Sequence, residues 1–209
     1  MAHIVFLGPP GAGKGTQAAE ISLRMGVPHL STGELLRAAV REESPLGREA
    51  DAHMRAGRLV PDDLVLEILT ERLRAPDCRK GFLLDGFPRN VAQAEALDRL
   101  ASVDRVLYFD LPESVLTERM TQRRHCPQCG TVYNLTTRPP KVPGRCDHDG
   151  GPLAQRNDDT EGAVRTRLSV YREATRPLLE YYRKRNVVLD IDASGRPEEV
   201  TARIRRVLG

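Results

Sequence analysis

The stretch "GPPGAGKGT", residues 8–16, decides the fold of this 209-residue chain. It follows the apolar run "IVFL" and leads into "QAAEISLRMG", where apolar residues recur at helical spacing until Gly26. A glycine-rich loop between a strand and a helix lets backbone N–H groups wrap phosphates, and the helix N-terminus adds partial positive charge. Lys14 is spaced to reach the β- and γ-phosphates of a nucleoside triphosphate. The Ser or Thr that usually follows this lysine is Gly15 here, with Thr16 one place later.

Outward from this loop, short apolar runs recur: "HIVFLG" (3–8), "VPHLS" (27–31), "GFLLD" (81–85), "RVLYFD" (105–110) and "NVVLDID" (186–192). Helical patterns separate them, including "PDDLVLEILTERLRA", which opens on Pro61 and two acids, and the long "TEGAVRTRLSVYREATRPLLEYYRKR". Strand alternating with helix predicts an α/β fold with a parallel sheet covered on both faces. Two segments break the rhythm. Residues 31–60 are helical with no strand of their own. Residues 123–159 are rich in Pro, Gly, Cys and charge but poor in apolar side chains. So small a module needs a metal or a disulfide to hold together.

The totals exclude several classes. No run of about 18 apolar residues is present, so no membrane span is expected, and the N-terminus lacks the features of a signal peptide. The expected compartment is therefore the cytoplasm, where four cysteines point to metal or free thiols. The net charge of +3 is too small to argue for nucleic acid. Most cations are arginines, which grip phosphates bidentately.

A second motif narrows the reading. In "GFLLDGFPR" (81–89) the strand ends on Asp85, as a magnesium-side carboxylate would, and Arg89 lies on the following loop, where α/β sheets bind ligands. "GPPGAGKGT", "STGELLR", "GFLLDGFPR", "RRHCPQCG" and "QRNDD" together resemble adenylate kinase in its long-lid, zinc-bearing bacterial form, over essentially the whole chain. Gly15 after Lys14 is that family's own variant of the loop.

The resemblance implies the P-loop nucleoside monophosphate kinase fold, with a five-stranded parallel sheet flanked by helices. It implies a CORE of residues 1–30, 61–122 and 160–209, an AMP-binding domain at 31–60 and a zinc-binding LID at 123–159. The implied reaction is reversible transfer of the terminal phosphoryl group of Mg-ATP to AMP, giving two ADP, by a monomer with no nucleic-acid or membrane partner. ATP is expected at Gly11, Ala12, Gly13, Lys14, Gly15 and Thr16, and at Arg119, Arg123, Val132, Tyr133 and Arg196. AMP is expected at Thr32, Arg37, Arg58, Leu59, Val60, Gly86, Phe87, Pro88, Arg89, Gln93, Arg156 and Arg167. Lys14, Arg89, Arg123, Arg156 and Arg167 are the implied catalytic set, Asp85 would hold magnesium through water, and Asp158 and Asp159 would act at the LID hinge.

"CPQC" (126–129) has zinc-ligand spacing, but its partner reads "CDHD", so the set becomes C-x2-C-x16-C-x2-D. Zinc accepts thiolate, imidazole or carboxylate, and spacing alone leaves His148 nearly equal to Asp149, with His125 a weaker rival. The Cys-three-Asp lids of the resembled family favour Cys126, Cys129, Cys146 and Asp149 around a structural zinc. Cys78 stands outside this set. A pyrimidine nucleoside monophosphate kinase, a P-loop switch and a zinc-ribbon nucleic-acid binder are the competing readings. The chain has no Asn-Lys-x-Asp guanine motif, and its cysteine segment has one aromatic residue, Tyr133.

Overall fold

The structure, a computed structural model, describes residues 2–209. Five strands form one parallel sheet: β1 (Ala2–Leu7), β2 (His29–Ser31), β3 (Gly81–Asp85), β4 (Arg105–Asp110) and, after the two-stranded hairpin described below, β7 (Val188–Asp192). Their order is β2-β3-β1-β4-β7. The chain starts at the centre, steps out to β2, returns through β3 and then crosses β1 to reach β4. The crevice therefore opens beyond the carboxyl ends of β1, β3 and β4, where a parallel sheet reverses its winding.

Alternate side chains of each strand serve opposite faces. Ile4 and Phe6 of β1 join Leu83, Leu107, Phe109 and Ile191 in one core. Val5 and Leu7 join Phe82, Leu84 and Val106 in the other. Both faces are covered, which is why the strands read as continuous apolar runs. Helices α1 (Lys14–Met25), α6 (Glu113–Thr121), α7 (Glu161–Val170) and α9 (Pro197–Leu208) contribute to the first core. Helices α4 (Asp62–Leu73), α5 (Val91–Leu100) and α8 (Pro177–Arg183) contribute to the second.

The two interruptions take distinct forms. After β2, helices α2 (Thr32–Arg41) and α3 (Pro45–Arg55) follow in succession. Ser31 caps α2 by accepting from the Glu34 amide, and Ser44 caps α3 by accepting from the Gly47 amide, with Pro45 fixing the first turn. After α6 comes a small antiparallel hairpin, β5 (Arg123–His125) with β6 (Val132–Asn134), followed by loops to residue 156. Its apolar centre is only Cys126, Tyr133 and Cys146, with Leu153 beside them.

Candidate active site

The phosphate loop leaves β1 and turns into α1 at Gly13, whose φ of 88° is costly for any residue with a Cβ. Lys14 is folded back into the loop, its Nζ donating to the Gly8 and Pro9 carbonyls at 2.8 Å each. Burial pushes its pKa down to about 8, against the pull of Asp85 and helped by Arg89, Arg167 and Arg123. Gly15 lies against the end of β3: a Cβ there would stand 3.2 Å from Asp85 Oδ2. The carboxylate thus occupies the space that a Ser or Thr side chain would need, which accounts for the altered loop. Burial works to raise the Asp85 pKa, but His29, Lys14 and Arg89 outweigh it and hold it below the ordinary carboxylate range. His29 Nε2 is 3.8 Å from Asp85 Oδ2.

A single cleft of about 710 Å³ runs from this loop towards α2 and the hairpin. Gly11 to Thr16, Thr32, Arg37, Arg58, Leu59, Val60, Gly86, Pro88, Arg89, Gln93, Arg119, Arg123, Val132, Tyr133, Arg156 and Arg167 all line it. Two expected residues lie elsewhere. The Phe87 side chain is buried in the second core, so only its neighbours in "GFPR" face the cleft. Arg196 lines a smaller adjoining cavity shared with Arg119, Asn134 and Glu199.

Five arginines converge here. Arg89 is pushed down to about 10 by burial and by the nearby charges of Arg167 and Arg37, and Arg156 to about 10 by burial, Arg37 and Arg123. Acids on the return from the hairpin hold part of this charge. Arg123 Nε donates to Asp159 Oδ2 at 2.7 Å, and Arg167 reaches Asp158 Oδ2 at 2.9 Å and Asp159 Oδ1 at 3.1 Å. Asp159 is wholly buried. Pairing keeps Arg123 firmly charged despite its burial. Buried Nε groups of Arg37 and Arg156 have no acceptor, which is costly for a buried donor.

Gln93 is buried and already used on both sides: its Oε1 accepts from the Arg89 amide at 2.7 Å and its Nε2 donates to Asp62 at 2.6 Å. One donor and one acceptor position of its amide remain. Arg119 donates to the carbonyls of Ala193 and Gly195 and forms the far wall. Sequence reasoning does not single out Glu34. Its carboxylate accepts from Arg37 and Arg156 at 2.7 Å each. The signal was present in "STGELLR", one turn ahead of Arg37, but its partner is 122 positions away.

The side chains of Cys126, Cys129, Cys146 and Asp149 come together with all four donor atoms within 4.8 Å of one another. Cys129 and Cys146 Sγ are 3.5 Å apart, and Cys126 Sγ is 3.2 Å from Asp149 Oδ2. A tetrahedron with Zn–S of about 2.3 Å and Zn–O of about 2.1 Å has edges of roughly 3.5–3.8 Å, so the set fits such an ion. His125 instead directs Nδ1 at the Ala154 carbonyl, and His148 is not part of the cluster.

The family model for adenylate kinase matches residues 6–187. The chain belongs to the adenylate kinase family. It is 52% identical to the adenylate kinase of Moorella thermoacetica over 99% of this chain and 98% of that one. It is 50% identical to that of Thermodesulfovibrio yellowstonii, over 99% and 98%, and 48% identical to that of Archaeoglobus fulgidus, over 99% and 97%. An adenylate kinase is a nucleoside monophosphate kinase. It moves the terminal phosphoryl group of ATP reversibly to AMP, leaving two ADP. Among the described residues, no helix of the enzyme is long and apolar enough to cross a membrane.

Proposed function

We propose that this chain carries out that reaction with ATP on the phosphate-loop side of the cleft and AMP on the α2 side. Residues 31–60 then act as the AMP-binding domain, 123–159 as a mobile LID, and 1–30, 61–122 and 160–209 as the CORE. The observation that carries the reading is the convergence of Lys14, Asp85 and Arg37, Arg89, Arg123, Arg156 and Arg167 on one cleft, with the Nε groups of Arg37 and Arg156 buried and unpaired.

Phosphoryl transfer asks for alignment and positive charge, and little covalent chemistry from the protein. The bond from the γ-phosphorus to the β–γ bridging oxygen breaks as one forms to a phosphate oxygen of AMP. In this reading Lys14 and the loop amides of Gly11 to Thr16 hold the β- and γ-phosphates. Arg37 and Arg89 hold the AMP phosphate, while Arg123, Arg156 and Arg167 surround the group in flight. Arg119 packs on the ATP base, with Val132, Tyr133 and Arg196 around it. Thr32, the 58–60 segment, Gly86, Pro88 and Gln93 frame the AMP base. Asp85, kept ionised beside Gly15, suits a water-linked magnesium ion. Magnesium, when bound with ATP, draws charge from the phosphate oxygens.

Cys126, Cys129, Cys146 and Asp149 suit a structural zinc, since four ligands leave no open position. We place the enzyme in the cytoplasm as a monomer whose partners are ATP, AMP and ADP. The test is a coupled assay with Mg-ATP and AMP, CMP, UMP or GMP as acceptor. AMP should be strongly preferred, because a site built on base hydrogen bonds leaves polar groups unpaired with the wrong base. Comparable turnover with CMP or UMP would overturn the assignment of the acceptor.

A further inference from the structure

The helical run from Glu161 to Arg183 is not uniform. Between α7 and α8 the backbone widens into a π turn at Tyr171–Thr175. There the Arg176 amide donates five residues back, to the Tyr171 carbonyl, at 2.8 Å. Pro177 gives the physical reason: it has no N–H, and in a regular helix its ring would meet the carbonyl four residues earlier. One extra residue in the turn rotates what it carries by roughly 100° relative to a regular helix.

That rotation changes what a threonine does. Thr117, Thr121, Thr166 and Thr201 each donate to the carbonyl four residues back in their own helix, the usual habit of a helical threonine. Thr175 does not. Its buried hydroxyl crosses to the Arg89 carbonyl at 2.8 Å, 86 positions away. The Arg89 peptide is thereby held on both sides, because its N–H donates to Gln93 Oε1 at 2.7 Å. The Arg89 side chain is tied as well, Nε to the Gly86 carbonyl at 2.7 Å. Gln93 belongs to the helix that follows Arg89, whereas Thr175 belongs to an element far along the chain.

We infer that Thr175 is a positioning residue for Arg89, set in place by the π turn that Pro177 imposes. The inference rests on the reading of Arg89 as a grip on the AMP phosphate. The Thr175 hydroxyl fixes the height of the Arg89 backbone above the sheet, and the guanidinium enters the cleft from that fixed point. Misplacement by a fraction of an ångström at such a group is enough to lower turnover.

The experiment compares Thr175→Val, Thr175→Ala and Thr175→Ser with the parent, well below each variant's melting temperature. Thr175→Val keeps the shape and removes the donor; it should lower kcat/KM for AMP about ten-fold, the order expected when one buried acceptor loses its partner, with the Kd for ATP unchanged. Thr175→Ala, which removes the donor without relying on a valine fit, should show the same loss. Thr175→Ser should restore most of it. Parent-like AMP kinetics in both the Val and Ala variants would overturn the inference, as would equal loss in Ser and Val, since only the methyl group would then matter. Added to Arg89→Ala, Thr175→Val should cost nothing further in kcat/KM; a full additional loss would show that Thr175 does not act through Arg89. An Arg89→Ala enzyme with parent-like AMP kinetics would overturn the underlying site reading, and this inference with it.

Discussion

Arg156 donates to the Glu34 carboxylate at 2.7 Å, linking the end of the loop segment that follows the hairpin to the first turn of α2. Arg37 shares the same carboxylate oxygen. The Glu34 side chain is half exposed, so this bridge is worth at most about 1 kcal/mol. Glu34→Gln is therefore expected to change kcat/KM for AMP less than about five-fold. Arg156→Ala should cost about 100-fold or more in kcat if, as proposed, its charge faces the transferring group. Steady-state kinetics on both variants decides; a larger effect from Glu34→Gln would make the bridge, and not the arginine, the dominant part.

Lys14→Met should reduce kcat by at least about two orders of magnitude, because a preorganised charge at the transferring phosphates is worth several kcal/mol. Its melting temperature should hold or rise, since the buried ammonium is unfavourable to the fold. Loss of activity accompanied by a large fall in melting temperature would instead mark Lys14 as structural.

The depressed Lys14 pKa has a pH signature. Burial lowers it from 10.5 to about 8, so between these values the folded enzyme has released a proton that the unfolded chain still binds. Stability from this group therefore rises as pH climbs through that window. Activity moves the other way, because the lysine must be charged to hold phosphate. In the free enzyme, kcat/KM for ATP should fall above about pH 8, and a profile flat to pH 10 would contradict the assignment.

Asp159 is buried and bonded to both Arg123 and Arg167. Removing one partner of a buried charge pair costs about 3–5 kcal/mol. Asp159→Asn should lower the melting temperature by several degrees and also depress turnover, since two cleft arginines lose their anchor. A variant that melts like the parent would show the pair to be dispensable to the fold.

Metal analysis should give about one zinc per chain. Chelation should lower the melting temperature while leaving most activity at low temperature, because Cys126, Cys129, Cys146 and Asp149 lie in the hairpin and its loops and not among the cleft arginines. Asp149→Ala should weaken zinc retention and His148→Ala should not; the reverse result would reassign the fourth ligand.

What was legible in the sequence follows from how local each signal is. The phosphate loop and the five strands of the sheet are written in contiguous residues, and the two-face burial of Ile4 to Leu7 explains why these runs show no polar alternation. The strands of the hairpin were not legible, because three residues each, Arg123–His125 and Val132–Asn134, carry no period. The π turn hid inside "SVYREATRPLL", whose apolar spacing is still helical. Phe87 sits in a motif that faces the cleft, yet its ring is needed in the core. Thr175 is invisible to any local reading, since its partner Arg89 is joined to it only by the fold, and for Glu34 the sequence shows the local pairing with Arg37 but not the one with Arg156.

The central position of β1 has a consequence for synthesis. Ile4 pairs with Leu83 on one side and Arg105 on the other, so the strand that launches the phosphate loop emerges well before either of its neighbours. Until residues through β4 have left the ribosome, β1 lacks one of its two neighbours and "GPPGAGKGT" springs from the edge of a sheet. Such non-local pairing slows folding, and the phosphate loop is framed on both sides only once the chain extends through β4.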